Sequence, residues 1–220
     1  MTESASGIIL RTRPLTETSL IVHWLTPDFG RIATVGKGAR RPKSPFAGKL
    51  DLFYAADFSF SRSRRSELHT LREVQLRETH GAIRQDISKL QQAGYAAAFI
   101  EQATETDTPL PEIFELIHGF LKHLCAQKPA PQNIFALELK LLRELGLEPA
   151  SKEARLTPGA KKIVQMLTES DWTKNSQLKL SGPQTVEIRQ FLHGFLIFHL
   201  GKLPRGRAAA VAESGSVASR

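Results

Sequence analysis

The sequence contains a single cysteine, no apolar run long enough to span a membrane, and no acidic residue over more than twenty consecutive positions. Cys125 alone can form neither an intramolecular disulfide nor a multi-cysteine metal site. We therefore expect no bound metal, no stoichiometric zinc and no loss of stability with chelators. The N-terminal segment MTESASG lacks the basic and then apolar stretches of a secretory signal. These absences predict a cytoplasmic protein with no membrane partner.

The stretch without acidic residues lies between Asp28 and Asp51. It begins with a strand-like alternation at 31–35 and continues into a turn-rich segment with five cations. These cations are Lys37, Arg40, Arg41, Lys43 and Lys49. Cations at this density suit a line of phosphates, because each neutralised phosphate releases counterions. The alternative is a solvated basic loop that contributes only to solubility.

The positive charge is concentrated towards the two ends of the chain. The formal net charge is +8, residues 1–80 hold 13 Lys+Arg against 8 Asp+Glu, and residues 81–147 hold 6 against 8. A basic first region and a basic last region therefore flank a mildly acidic middle, which predicts contact with a polyanion. Two further groups of cations in the first region are candidates for that contact: Arg62, Arg64 and Arg65 in the segment SRSRR, and Arg11 and Arg13, which could instead pair with Glu17.

The first 80 residues have the periodicity of strands. Alternation of apolar and polar residues predicts five of them, at 7–13, 19–26, 31–35, 50–61 and 67–78. A break in the alternation near Arg72 and Glu73 predicts a β-bulge. Five strands joined by short turns fit a small closed barrel. We assign most of its aromatic residues to the core, and the alternative is a surface that stacks bases; they are Trp24, Tyr54, Phe58 and Phe60.

From residue 82 onward the apolar residues recur with helical spacing. The predicted helices cover 82–105, 111–127, 133–145, 157–168 and 184–200, and the last two begin at Thr157–Pro158 and Ser181–Gly182–Pro183. The expected fold class is therefore α+β. A five-stranded barrel domain at 1–80 precedes an all-α helical domain at 81–204, and a disordered basic and polar tail follows at 205–220.

Catalytic signatures are weak throughout the chain. No nucleophile and base have a recognisable spacing, and Gly36–Lys37–Gly38 lacks the spacing of a nucleotide-phosphate loop. Glu115 and His118 have the Glu-x-x-His spacing of di-iron bundles, but the second such motif is missing. We expect a protein that is not an enzyme and that needs no cofactor.

The chain resembles the RecO family of bacterial recombination mediators. The residues that carry the resemblance are RTRPLTETS (11–19), Gly30–Arg31, KGAR (37–40) and the C-terminal LHGFLIFHLGKLPRGR (192–207). The resemblance implies an oligonucleotide/oligosaccharide-binding (OB) barrel followed by helices. Many members carry a four-cysteine zinc segment after a pair like Leu145–Gly146. Here that segment is shortened or lost near 147–157.

The resemblance also implies a function in recombinational DNA repair at the nucleoid. The implied activities are binding and annealing of DNA strands, displacement of single-strand-binding protein (SSB), and loading of the recombinase RecA with RecR as a partner. The expected ligands are single-stranded and double-stranded DNA and the acidic C-terminal tail of SSB. For the tail, the candidate cations of the helical domain are Lys140, Arg143, Arg189 and Lys202. The alternative function is an OB-fold RNA-binding module.

Overall fold

The first 80 residues form a closed five-stranded barrel. The structure, a computed structural model, describes residues 2–149 and 156–212. The strands are β1 (Thr2–Pro14), β2 (Leu20–Thr26), β3 (Gly30–Gly36), β4 (Ala55–Ser61) and β5 (Leu68–Glu78). They close in the order β1-β2-β3-β5-β4, with β3 and β5 parallel and the other pairs antiparallel. The predicted barrel is confirmed.

Aromatic side chains fill the barrel. Trp24, Phe58 and Phe60 are at most 3% exposed, and the rings of Trp24 and Phe58 stack with centroids 4.0 Å apart. The indole Nε1 of Trp24 donates to the Thr34 hydroxyl at 2.8 Å, which satisfies its only polar atom. These rings are core residues, as predicted, and they are not available to stack bases.

Two strands differ in length from the prediction. β1 is longer, because it pairs with β4 as far as Thr2 opposite Ser61. β4 is shorter, because the chain turns at Phe53, whose φ is 64°. The predicted bulge in β5 is confirmed: Ser59 and Phe60 face Glu73 and Leu71, so Arg72 is the extra residue.

The remaining chain is helical. Its helices are α1 (Ile87–Ala103), α2 (Pro111–Ala126), α3 (Pro131–Glu144), α4 (Pro158–Glu169), α5 (Trp172–Gln177), α6 (Gly182–Leu200) and α7 (Arg207–Ala210), with a 3-10 turn at Gly81–Ile83 before α1. The predicted caps are confirmed: Thr157 accepts from the amide of Ala160, and Ser181 forms a capping box with Gln184. The short helices α5 and α7 are not predicted. None of the helices in the described residues is long and apolar enough to cross a membrane.

The chain divides into two compact units. The first consists of residues 1–80 and 104–118, and the second of residues 81–103 and 119–220. Segment 104–118 joins the barrel through Arg31, which donates from Nε to the Thr104 hydroxyl and accepts at its carbonyl from the Asp107 amide. Gly30 permits this approach, because a β-carbon there would lie 1.7 Å from the Thr108 carbonyl oxygen. The first unit is therefore larger than the predicted 1–80.

In the second unit, α3 is buried on nearly every side, from Asn133 to Leu142. Glu138 of α3 is fully buried, and its carboxylate accepts from Arg207 of α7, Nε to Oε1 at 2.7 Å and Nη2 to Oε2 at 2.9 Å. The predicted tail therefore begins too early, since Arg207–Ala210 form a helix held by a buried ion pair. Residues 213–220 of the predicted tail lie outside the described residues.

Candidate nucleic-acid interface

The segment of residues 37–49, hereafter the basic loop, is a chain of tight turns on the barrel. Backbone amides of Arg41, Ser44 and Lys49 donate to the carbonyls three residues earlier, at 3.0 Å each. Phe46 is 6% exposed and packs into the barrel core, so the loop has an apolar anchor in its own sequence. Because these turns are already ordered, less conformational entropy of the loop is lost when its cations bind a ligand.

Four of the five cations in the basic loop are exposed, and Lys49 is half-buried. Arg40 is held in place: its amide donates to the Thr18 carbonyl at 3.0 Å, and its Nη1 donates to the Thr16 carbonyl at 3.1 Å. This contact joins two of the sequence segments that carried the family resemblance, 11–19 and 37–40. Among the described residues, the side chains of Lys37, Arg41 and Lys43 have no hydrogen-bond or ion-pair partner, which leaves them available to phosphates.

The second basic segment is divided between structural and open cations. Arg62 pairs with Glu3 at 3.0 Å and Asp107 at 3.3 Å, and lies over the Phe29 ring. The hydrogen bonds to Glu3 raise the pKa of Arg62 further above its usual value. Arg64 and Arg65 are exposed, and neither guanidinium has a partner within the described residues. Arg62 therefore fixes the segment, and the other two arginines are its candidate phosphate contacts.

A third group of cations surrounds His23 on β1, β2 and β3. Arg11 lies opposite His23 in the antiparallel register, and Arg13 lies two pairs further along β1, opposite Ile21. Burial, followed by the charges of Arg11, Arg13 and Arg31, lowers the pKa of His23 to about 4. Burial is the first cause of this shift, and the arginine charges that add to it would also attract an anion to this side of the barrel.

The basic loop also borders a groove of about 660 Å³ on the first unit. Lys49, Phe46 and Pro45 of the loop line it together with residues of β1, β4 and β5. Arg72, which is not among the predicted interface cations, lies in this groove and donates from Nε to the Ser61 hydroxyl at 2.9 Å. The bulge turns this arginine to the exposed side. Its position at a predicted bulge is the feature of the sequence that marks Arg72 as a candidate cation of the interface.

Two candidate cations for the partner tail lie at the carboxyl end of α4. Lys140 is 6% exposed, and its Nζ donates to the Thr168 carbonyl at 2.9 Å and to that of Ser170. Burial, and then the charge of Arg143, lowers the pKa of Lys140. Arg143 donates to the same Thr168 carbonyl at 3.1 Å. Both side chains cap α4, so Lys140 is committed to the fold rather than exposed to a ligand.

The other two candidates, Arg189 and Lys202, lie on and just after α6. Lys202 is exposed. Arg189 lines an apolar groove of about 460 Å³ with Leu203 and Val211. Its Nη2 donates to the Val211 carbonyl at 3.0 Å, whereas its buried Nε has no hydrogen-bond partner among the described residues. A buried, unsatisfied guanidinium donor beside apolar side chains suits a carboxylate on an apolar peptide.

The residues near 147–157 do not fit the four-thiolate zinc of many RecO proteins. Cys125 is the only cysteine in the sequence and lies on α2. Residues 150–155 of that shortened segment lie outside the described residues.

Comparison with known proteins decides the family. Residues 1–80 match the family model described as Recombination protein O N terminal, and residues 84–154 match Recombination protein O C terminal. The chain belongs to the RecO family. It is similar to the DNA repair protein RecO of Rhodopirellula baltica, with 32% identity over 66% of this chain and 54% of that protein. It is also similar to the DNA repair protein RecO of Listeria monocytogenes serotype 4a, with 33% identity over 67% of this chain and 57% of that protein.

The similarity to RecO proteins has a clear extent. The chain spans little more than half the length of the curated relatives it matches. The match to the N-terminal model ends at residue 80 and the match to the C-terminal model ends at residue 154. Neither match therefore includes residues 192–207, which carry part of the resemblance seen in the sequence. The motifs at 11–19, 30–31 and 37–40 all lie within the matched N-terminal model.

Proposed function

We propose that this RecO-family chain binds DNA and anneals complementary strands in recombinational repair, without hydrolysing a nucleotide. The observation that carries the proposal is the basic loop, with exposed cations on turns anchored by Phe46. Family membership supports the assignment to repair, because the similar proteins are named DNA repair protein RecO. Single-stranded DNA is the first ligand, and double-stranded DNA the second.

The proposed mechanism is electrostatic. The basic loop, Arg64 and Arg65, and the cations around His23 would neutralise phosphates of two strands and so reduce the repulsion between them. Complementary bases then find their register by pairing. The rings of Trp24, Phe58 and Phe60 are buried and Tyr54 is partly buried, so binding is expected to depend on the phosphate backbone and to show little sequence preference.

The salt dependence of binding to single-stranded DNA tests this proposal. A variant with Lys37, Arg41 and Lys43 changed to Ala removes three open cations and keeps Arg40, which holds the loop in place. Each contact with a single strand contributes about 0.7 to the slope of log affinity against log salt, so the slope should fall by about 2. The matched control changes three exposed lysines of the second unit, Lys162, Lys174 and Lys179, to Ala.

The control loses the same net charge, so it separates local contacts from a general loss of attraction. An equal slope in the loop variant and in wild type would remove the basic loop from the interface. Strand annealing measured with both variants then tests the activity itself. Competition between single-stranded DNA and RNA of matched sequence tests the alternative: preferential displacement by RNA would favour the RNA-binding module over the repair protein.

We further propose that the acidic, apolar C-terminal tail of SSB binds the groove beside Arg189, and that the chain acts with RecR to load the recombinase. The support is the unsatisfied Nε of Arg189 at an apolar groove. Lys140 is dropped from the proposed site, since it is buried against the end of α4. Arg143 and Lys202 remain secondary candidates.

Calorimetric titration of a tail peptide tests the groove. Arg189→Ala should weaken binding, whereas Arg205→Ala, an exposed arginine nearby, should not. An amidated peptide, which lacks the terminal carboxylate, should bind wild type more weakly but bind Arg189→Ala as well as the free acid does. If amidation weakened binding to both proteins equally, the carboxylate would not be recognised by Arg189.

A further inference from the structure

Two histidines and a glutamate of the first unit converge at the end of β5. They are Glu78, His80 and His118, and one ligand atom from each lies within 4.8 Å of the others. Glu78 is the last residue of β5, and His80 follows it two residues later. His118 comes from α2. Imidazole nitrogen and carboxylate oxygen are ligands that Zn²⁺ and similar divalent ions prefer.

The two imidazole nitrogens approach different oxygens of Glu78, at separations that a shared ion could span. The Nε2 of His80 lies 3.6 Å from Oε1 of Glu78, and the Nε2 of His118 lies 3.4 Å from Oε2. A charge-assisted hydrogen bond is shorter, at about 2.7–2.9 Å. Two ligands of a tetrahedral zinc with bonds of about 2.0–2.1 Å lie roughly 3.3 Å apart, which is close to both separations.

The orientation of His80 also suits a ligand. Its Nδ1 lies 2.6 Å from the Phe53 carbonyl oxygen, in a buried contact. A carbonyl can only accept, so Nδ1 carries the proton in this contact, and Nε2, on the side of Glu78, is the ring nitrogen that can face a ligand. Metal-binding histidines are characteristically oriented by such a second hydrogen bond.

The backbone at this contact is strained on both sides. His80 has a φ of 48° and Phe53 a φ of 64°. Residues other than glycine rarely adopt this left-handed conformation, and residues strained in this way cluster at functional sites. The two strained residues meet in the hydrogen bond between the His80 ring and the Phe53 carbonyl.

The burial of the three side chains leaves an approach from solvent. The side chain of His80 is fully buried, that of His118 is 25% exposed, and that of Glu78 is 38% exposed. The two imidazole rings are nearly perpendicular, at 89°. An ion could therefore enter from the side of Glu78 and keep a position open for water or for another ligand.

We propose that Glu78, His80 and His118 bind one divalent transition-metal ion, of which Zn²⁺ is the first to be tested. The ion would tie the end of β5 to α2 and so stabilise the first unit. This replaces the expectation of no zinc, which rested on the cysteine count and on the Glu115–His118 spacing. The proposal is independent of the proposed function in DNA repair.

The test uses the full chain without a histidine tag. Calorimetric titration with Zn²⁺ should give one ion per chain, and Co²⁺ should give visible ligand-field absorption at the same stoichiometry. Zn²⁺ should also raise the thermal unfolding midpoint. His118→Ala and Glu78→Gln should each weaken Zn²⁺ binding by at least roughly 10–100-fold, the loss that even second-shell changes cause. His199→Ala, which removes an exposed histidine of α6, should bind as wild type does.

Several outcomes would overturn the site. Titration that does not saturate at one ion per chain is one of them. Equal Zn²⁺ affinity in wild type and Glu78→Gln is another, and it decides the matter even if His118→Ala fails to fold, because Glu78 is the most exposed of the three. Loss of binding in His199→Ala would move the ion to α6.

Discussion

Replacing Arg207 should cost the second unit a large part of its stability. The guanidinium is 5% exposed and donates two hydrogen bonds to Glu138, which is fully buried. The Tyr95 hydroxyl also donates to Glu138, at 2.5 Å. Burial alone would lower the pKa of Arg207, but its hydrogen bonds to Glu138 outweigh this and raise it. The guanidinium of Arg207 is therefore cationic in the folded chain at neutral pH.

The magnitude follows from what remains after the change. Arg207→Met leaves the carboxylate of Glu138 buried, with the Tyr95 hydroxyl as its one remaining side-chain donor in the part of the chain that the structure describes. Breaking a buried ion pair on one side costs about 3–5 kcal/mol, which is a large share of the roughly 5–15 kcal/mol that stabilises a typical protein. Tyr95→Phe removes one hydrogen bond to a charged acceptor and should cost less, about 1.5–3 kcal/mol.

The decisive comparison is a double variant in which Met replaces both Arg207 and Glu138. It removes the buried charge together with its partner, and such replacements by apolar residues of similar volume are often neutral or stabilising. The assay is urea unfolding followed by far-UV circular dichroism, which reports the helices. We expect the double variant to be more stable than Arg207→Met. If the two were equally unstable, the cost would come from lost packing of α7 and not from an uncompensated charge.

Two further predictions concern the first unit. Gly30→Ala should destabilise it by more than the roughly 1–2 kcal/mol of a left-handed alanine, because the new β-carbon meets the Thr108 carbonyl; an unchanged urea midpoint would contradict this contact. Stability should also fall as the pH falls from 6.5 towards 4, because burial and nearby arginines lower the pKa of His23, so the unfolded chain binds a proton that the folded chain does not. His23→Gln should reduce this dependence, and identical pH profiles for the variant and wild type would contradict it.

The parts of the fold that were predictable from sequence are those set by local chemistry. Alternating burial along β3 follows directly from the order of its residues. The caps of α4 and α6 depend on side chains within three residues of the first turn. The helix α7 could not be predicted in this way, because four residues do not form a stable helix alone. Its stability comes from Glu138, which lies 69 positions earlier in the chain.

In the candidate interface, too, the sequence identifies the cations but not the tertiary contacts that each of them makes. Composition identifies the cations of the basic loop, but it cannot distinguish Arg40, which holds two loops together, from Lys37, Arg41 and Lys43, which have no described partner. The same limit applies to Lys140, a charged residue on an apparently amphipathic helix. It faces a helix end that only the tertiary fold brings near.

The proposed metal site joins residues that lie in separate segments of the sequence. The helical spacing of the sequence suggests Glu115 as the partner of His118. In the structure, His118 contacts Glu78, 40 positions earlier. Neither periodicity nor cysteine counting can bring these residues together.

The left-handed backbone at His80 is equally invisible in the sequence, since a histidine gives no sign of a positive φ as a glycine would. Strain of this kind persists only where surrounding contacts enforce it, and the buried contact with Phe53 supplies that enforcement whether or not an ion is bound. The ring of His80 therefore has the orientation of a ligand before an ion binds, which lowers the free-energy cost of ordering the site on binding.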